Sequence, residues 1–161
     1  MKLVCESSEL LKIPCEDIDF DNPQIALDKT IAAMKKVMKD NNGVGLAAPQ
    51  VGLLYNIFVM ENDDKFTACI NPEILTFSDE TIFFEEGCLS FPKLRLKIKR
   101  SELITCKWHG VDGREYQDRL RRLNSRIFQH EYDHLQGITF RDRASKLKLQ
   151  MAEKKRTKHY G

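Results

Sequence analysis

No run of apolar residues in this chain approaches the roughly 20 that a membrane-crossing helix needs, which argues against a spanning segment. The N-terminal stretch MKLVCESSELLKIP lacks the apolar core and small-residue cleavage site of a secretion signal, so a cytoplasmic location is expected. Cysteine occurs five times, at positions 5, 15, 69, 88 and 106, an odd number without the spacing of a disulfide framework. Reduced thiols in a cytosol are the simpler reading. Repeats, low-complexity tracts and Pro- or Ser-rich linkers are also missing, so nothing divides the 161 residues, and one domain over 1–161 is expected. With 42% hydrophobic and 31% charged residues, the chain has the composition of a soluble globular protein large enough to bury a core.

The net charge of +2 conceals an asymmetry. Residues 141–161 carry Arg141, Arg143, Lys146, Lys148, Lys154, Lys155, Arg156 and Lys158 against only Asp142 and Glu153, on an otherwise acidic body. A basic tail of this kind points to an anionic partner or to a well-solvated terminal helix.

The first clear element is a helix from about Pro23 to Asp40. Asn22 suits its N-cap, and Leu27, Ile31, Met34 and Met38 recur at helical spacing before Asn41-Asn42-Gly43. Strand-like runs follow: NIFVM, FTACI, TIFFEEGCLSF, LRLKI and ELITCKW, separated in several places by turn residues. Alternation of Leu94, Leu96 and Ile98 with Arg95, Lys97 and Lys99 predicts a strand with one wet face. Asp112-Gly113 marks a hairpin. From about Arg119 the period becomes helical, through Leu120, Leu123, Ile127, His130, Glu131 and His134, and Gly137 can end that helix. A last helix is expected over about 145–158. The predicted class is α+β, with antiparallel sheet around a helix that carries the H-E-x-x-H motif, flanked by N- and C-terminal helices.

That motif is His130-Glu131-Tyr132-Asp133-His134. Residues four apart on a helix differ by about 40° and about 6 Å, so the two histidines can converge on one ion while Glu131 acts on a water beside it. A helix that merely carries two histidines and an acid is the alternative. The third ligand decides the class. A metzincin would place a histidine where Phe140 stands, and a thermolysin-like site would use Glu153, which sits among Lys154, Lys155 and Arg156 as a solvated ion-pair partner would. Cys88 is the better candidate: it ends an apolar strand-like run after Gly87, and a thiolate binds divalent transition metals strongly. For Cys5, Cys15, Cys69 and Cys106 a small apolar residue is the simpler reading.

Three motifs in order, GVGLAAPQ (43–50), EGCLS (86–90) and QHEYDH (129–134), resemble the signature motifs of the peptide deformylases. The likeness extends to Asn71-Pro72-Glu73 and to Leu135, Gly137, Phe140, Asp142 and Arg143, and the wording is similar to the type 1 branch. The resemblance implies that Cys88, His130 and His134 bind one divalent metal, with Fe²⁺ as the physiological ion. The residues themselves also suit Zn²⁺, Ni²⁺ or Co²⁺. The implied substrate is the N-formyl group of a peptide beginning with formyl-methionine, and the products are formate and a free amine. Glu131 would accept the proton of the attacking water and return it to the leaving amine, while the Gln50 amide and the Leu89 backbone N–H would stabilise the oxyanion.

By the same pattern Gly45 contacts the substrate main chain, and Val44, Phe84, Leu123 and Ile127 surround the methionine side chain. Ser125, Phe91 and Phe128 depart from commoner family residues, which bears on pocket size. Arg95 and Arg100 either steady the substrate or loop, or belong to a solvated strand face. Leu147 and Met151, with Leu149 as a further candidate, give the tail an apolar side, and it has two readings: a cationic helix that meets the ribosome, or a helix that packs by Leu147 and Met151 and displays solvated cations. Against deformylase activity stand a zincin-type peptidase using Glu153 and a non-catalytic metal-binding protein.

Overall fold

The structure is a computed structural model that describes residues 1–62 and 65–160. Helix α1 (Leu27–Asp40) precedes strands β1 (Gly45–Ala47), β2 (Ile57–Asn62), β3 (Lys65–Phe77), β4 (Thr81–Cys88), β5 (Phe91–Ser101), β6 (Leu103–His109) and β7 (Glu115–Arg121). Helices α2 (Arg122–Leu135) and α3 (Lys146–Tyr160) complete the chain, with 3₁₀ turns at Glu9–Lys12 and Ala48–Val51. The strands form a five-stranded sheet in the order β1-β2-β3-β6-β7 and a separate β4–β5 ribbon, all antiparallel. Helix α2 packs against β1, β2, β6 and β7 of the large sheet and against β5 of the ribbon. The helix that carries H-E-x-x-H is therefore central, as the α+β reading expects.

Helix α1 begins at Leu27, later than Pro23. Ala26 caps it without a side-chain hydrogen bond. Residues 24–25 form a bend instead, and the first helical hydrogen bond runs from the Thr30 N–H to Ala26 O at 2.9 Å. Ile31, Met34, Val37 and Met38 form its buried face against Leu46, Ile57, Val59 and Ile70. Helix α2 likewise starts after the expected Arg119. Residues 115–121 pair with β6 in the hairpin that Asp112-Gly113 turns, with Gly113 at φ 74°. Cross-strand hydrogen bonding wins there over the helical period.

In β5, Leu94, Leu96 and Ile98 are buried while Arg95, Lys97 and Lys99 face water, as the alternation predicts. Arg100 does not join that wet face; it is 5% exposed. Gly137, at φ 71°, ends α2: its N–H bonds His134 O at 3.1 Å and the next N–H, of Ile138, bonds Asp133 O at 3.0 Å. A Cβ at Gly137 would fall 2.6 Å from Lys12 O, so close backbone contact also requires glycine. Between the large sheet and α2, Phe58 meets Phe128 edge-on at 4.9 Å, within a cluster that includes Ile104 and Ile127.

Helix α3 does not pack by Leu147 and Met151, which are 67% and 63% exposed. Leu149 and Ala152 instead rest on the cluster of Phe91, Leu94, Leu96 and Ile98. Arg156 ties the helix to the N-terminal segment, donating to both Glu6 oxygens at 2.7 and 3.2 Å.

Candidate active site

Strand β4 delivers Cys88 at its end and Glu86 two residues earlier, α2 delivers His130, Glu131 and His134, and the 3₁₀ turn after β1 delivers Gln50. One cavity of about 570 Å³ collects Val44, Gly45, Gln50, Phe84, Cys88, Leu89, Leu123, Ile127, His130 and Glu131 in its lining. His134 lies behind that lining and is 1% exposed. Ile127 forms buried wall, whereas Val44, Phe84 and Leu123 are apolar side chains left open to solvent. Of the three residues that depart from commoner family types, only Phe91 lines the cavity; Ser125 and Phe128 are buried away from it.

Donor atoms of Cys88, His130 and His134 lie within 4.8 Å of one another. Cys88 Sγ is 3.3 Å from His134 Nε2, close to the ~3.5 Å between neighbouring donors of a tetrahedral ion with 2.0–2.3 Å bonds. His130 turns its Nδ1 to Glu86 Oε2 at 2.9 Å, which leaves Nε2 for the cavity side. The donor set, one thiol and two imidazoles with a carboxylate behind one of them, fits a divalent transition metal. Glu153 is elsewhere, ion-paired on α3 with Arg156 at 2.8 Å and with Arg141 at 3.4 Å.

Gln50 has a defined orientation. Its Oε1 accepts the Ala47 N–H at 2.8 Å, so its Nε2 donors must face Cys88 Sγ at 3.4 Å and Ser90 Oγ at 3.3 Å. Glycine brings the backbone against the acid: a Cβ at Gly45 would lie 2.8 Å from Glu131 Cδ. At Gly43 a Cβ would meet Leu89 Cδ1 at 2.7 Å, so the first motif also closes on the turn that carries the Leu89 N–H. Arg95 lies over Gly87, where a Cβ would come 2.8 Å from its Nη1.

Glu86 and Asp133 are joined by Arg100. Its Nε and Nη2 donate to Glu86 at 2.7 and 3.0 Å, and its Nη1 donates to Asp133 at 2.8 Å. Arg126 adds a bond to Glu86 at 2.6 Å, and Arg143 grips Asp133 through two more. Burial disfavours the charge on Glu86, yet hydrogen bonds from His130 and Arg100 hold its carboxyl well below the usual range. Burial also opposes charge on His130, but its bonds to Cys88 and Glu86 outweigh that and lift it to about 10. Burial pushes Glu131 up to about 7, and burial next to the charge of His130 holds His134 well below its ordinary value. Glu131 Oε2 and His134 Nδ1 are buried without a hydrogen-bond partner among the described residues.

Sequence reasoning missed Glu86, Arg126 and Asp133. Two of them had a local signal: Glu86 stands two residues before Cys88 in the EGCLS motif, and Arg126 is one helical turn before His130. Asp133 is inside the H-E-x-x-H pentapeptide itself.

A central helix with two inward histidines, a thiol from the neighbouring ribbon and a buried acid defines the class as metal-dependent hydrolase. The family model for polypeptide deformylase matches residues 1–150. The peptide deformylase of Thermotoga maritima is 45% identical over 129 residues, which cover 80% of this chain and 79% of that protein. Its crystal structure superposes with a TM-score of 0.84 at 39% identity, covering 89% of this chain and 96% of the other. A Synechococcus elongatus peptide deformylase in complex with actinonin gives a TM-score of 0.89 at 31% identity, covering 96% and 85% of the two chains. The chain belongs to the polypeptide deformylase family.

Proposed function

We propose that this protein removes the formyl group from the N-terminus of newly made peptides that begin with formyl-methionine, in the cytoplasm, using one divalent metal held by Cys88, His130 and His134. The convergence of those three donors beside Glu131 and the Gln50 amide carries the reading. A metal in that position supplies Lewis acidity that makes water acidic near neutral pH. Glu131, raised by burial to about 7, takes the proton of the attacking water and hands it to the leaving nitrogen. Water adds to the formyl carbon, the C–N bond breaks, and formate and a free amine leave. Gln50 Nε2 and the Leu89 N–H donate to the oxygen on which negative charge develops. Gly45 gives the substrate backbone room beside Glu131, and Val44, Phe84, Leu123 and Ile127 receive the methionine side chain.

The test is formate release from formyl-Met-Ala-Ser by metal-replete protein. No formate from that peptide overturns the reading, and cleavage of an internal peptide bond would favour the peptidase reading instead. Fe²⁺ is the proposed resident ion; metal analysis of anaerobically purified protein, with activity per bound ion, decides it.

The outer face of α3 supports a further partner, the ribosome. Exposed Leu147 and Met151 lie on the same helix as Lys154, Lys155 and Lys158. Arg156 serves the contact with Glu6 and should be left intact in the test. Neutralising the three lysines should weaken ribosome co-sedimentation and its salt dependence, with turnover of a free peptide unchanged. Absence of co-sedimentation at low salt in the unmodified protein would leave α3 a packing role through Leu149 and Ala152.

A further inference from the structure

A second cavity, about 290 Å³, adjoins the first and is lined in part by Ile82, Arg122 and Glu102. Phe84, Leu123 and Arg126 line both cavities and so form the wall between them. These three residues are not equivalent. Phe84 and Leu123 are 57% and 45% exposed, with open space into which they can turn. Arg126 is 8% exposed and fixed. Its Nη1 donates to Glu86 Oε1 at 2.6 Å and to Ile98 O at 3.0 Å, and its Nη2 donates to Ile82 O at 2.6 Å. To swing aside, it would give up one bond to the Glu86 carboxylate and its bonds to two backbone carbonyls, one from each strand of the ribbon, a loss that buried polar groups resist.

We infer that Arg126 is a specificity-determining bar that sets the length of the first side chain the site accepts, with the second cavity lying beyond it. The inference rests on the deformylase reading above and adds to it the residue that limits substrate size. A side chain of methionine length fills the first cavity up to the guanidinium. A longer one must displace a group held at three acceptors. A small residue at 126 joins the two spaces, and the surface it uncovers includes Ile82 and the aliphatic stems of Arg100 and Arg122. Glu86 would still receive two bonds from Arg100 and one from His130, so its orientation does not depend on Arg126 alone.

The experiment compares two formyl peptides that differ only in the first residue, norleucine or 2-aminooctanoic acid, each followed by Ala-Ser. The longer side chain has two more methylenes. At about 0.8 kcal/mol per buried methylene, full burial is worth about fifteenfold. In the wild-type protein kcat/KM should favour norleucine. In Arg126→Ala the ratio of long to short should rise at least about tenfold. Calorimetric Kd values for the unformylated peptides should show the same change of ratio without turnover.

An equal fall for both peptides would mean that Arg126 only holds Glu86, and it overturns the inference. Wild-type protein that already accepts both equally does the same. If Arg126→Ala does not fold, Arg126→Gln keeps an N–H donor on a shorter stem; a ratio raised severalfold supports the bar, and an unchanged ratio removes it. Absence of formate from the wild-type protein with either of these peptides or with formyl-Met-Ala-Ser overturns the deformylase reading itself.

Discussion

Arg100 meets Glu86 through two parallel hydrogen bonds, Nε to Oε1 at 2.7 Å and Nη2 to Oε2 at 3.0 Å, with side chains only 4% and 5% exposed. Since Glu86 also holds His130, the pair connects the ribbon to a proposed metal ligand on α2. Arg100→Ala would leave Glu86 and Asp133 buried with less compensation. It should cost roughly 3–5 kcal/mol, read as a lowered urea midpoint with unchanged slope. A loss below about 1 kcal/mol would show that Arg126 and Arg143 carry the network without it.

Cys88→Ala should lose most of the bound metal, because two imidazoles on one helix remain, while Glu153→Ala should keep it. Metal content by mass spectrometry after gel filtration distinguishes them. Equal loss in both, or retention in the Cys88 variant, removes the ligand assignment.

Glu131→Gln should retain metal and lose at least about 10²–10⁴ in kcat, since an amide of the same shape cannot take up the proton. Gln50→Ala should lower kcat more than it changes KM, because the bond it offers strengthens as charge develops on the oxygen. Near-normal turnover in metal-replete Glu131→Gln would assign the proton to another group.

The cysteines should separate by reactivity. Cys5 is exposed and its thiol is lowered by the Ser7 hydroxyl, whereas burial raises Cys69 well above the ordinary value and pushes Cys106 up to about 12. At pH 8 an alkylating reagent followed by peptide mapping should label Cys5 long before Cys69 and Cys106 in folded protein. Comparable labelling of all three would show that the sheet opens readily.

The parts of the site that were legible from sequence are those fixed by local geometry. His130, Glu131 and His134 share a helix face because of the helical repeat, and β5 shows its buried side through alternation. The whole-chain resemblance then supplied Gln50 and Leu89 as the proposed oxyanion donors. What was not legible depends on strand register and chain reversal. Arg100 alternates into the interior with Ile98 and Leu96, but only the ribbon and α2 together bring Glu86 and Asp133 to it. The early start assigned to α2 has the same origin: Leu103 pairs with Arg121, a long-range bond that no local periodicity records. On α3, Leu147 and Met151 look like the packing face by spacing, yet Leu149 and Ala152 meet the β5 cluster of Phe91, Leu94, Leu96 and Ile98, a long-range contact that spacing along one helix does not record.

Cys88 and His134 stand 46 residues apart, and the stretch between them contains β5, β6, β7 and most of α2. An ion held by both would close that stretch into a ring, restricting the unfolded chain much as a disulfide does, by about 4 kcal/mol for a loop of this length. Stripping the metal should therefore do more than stop turnover. It should remove one tie between ribbon and helix while the Arg100 and Arg126 bonds remain, and the melting temperature should fall with the ion's removal even when no substrate is present.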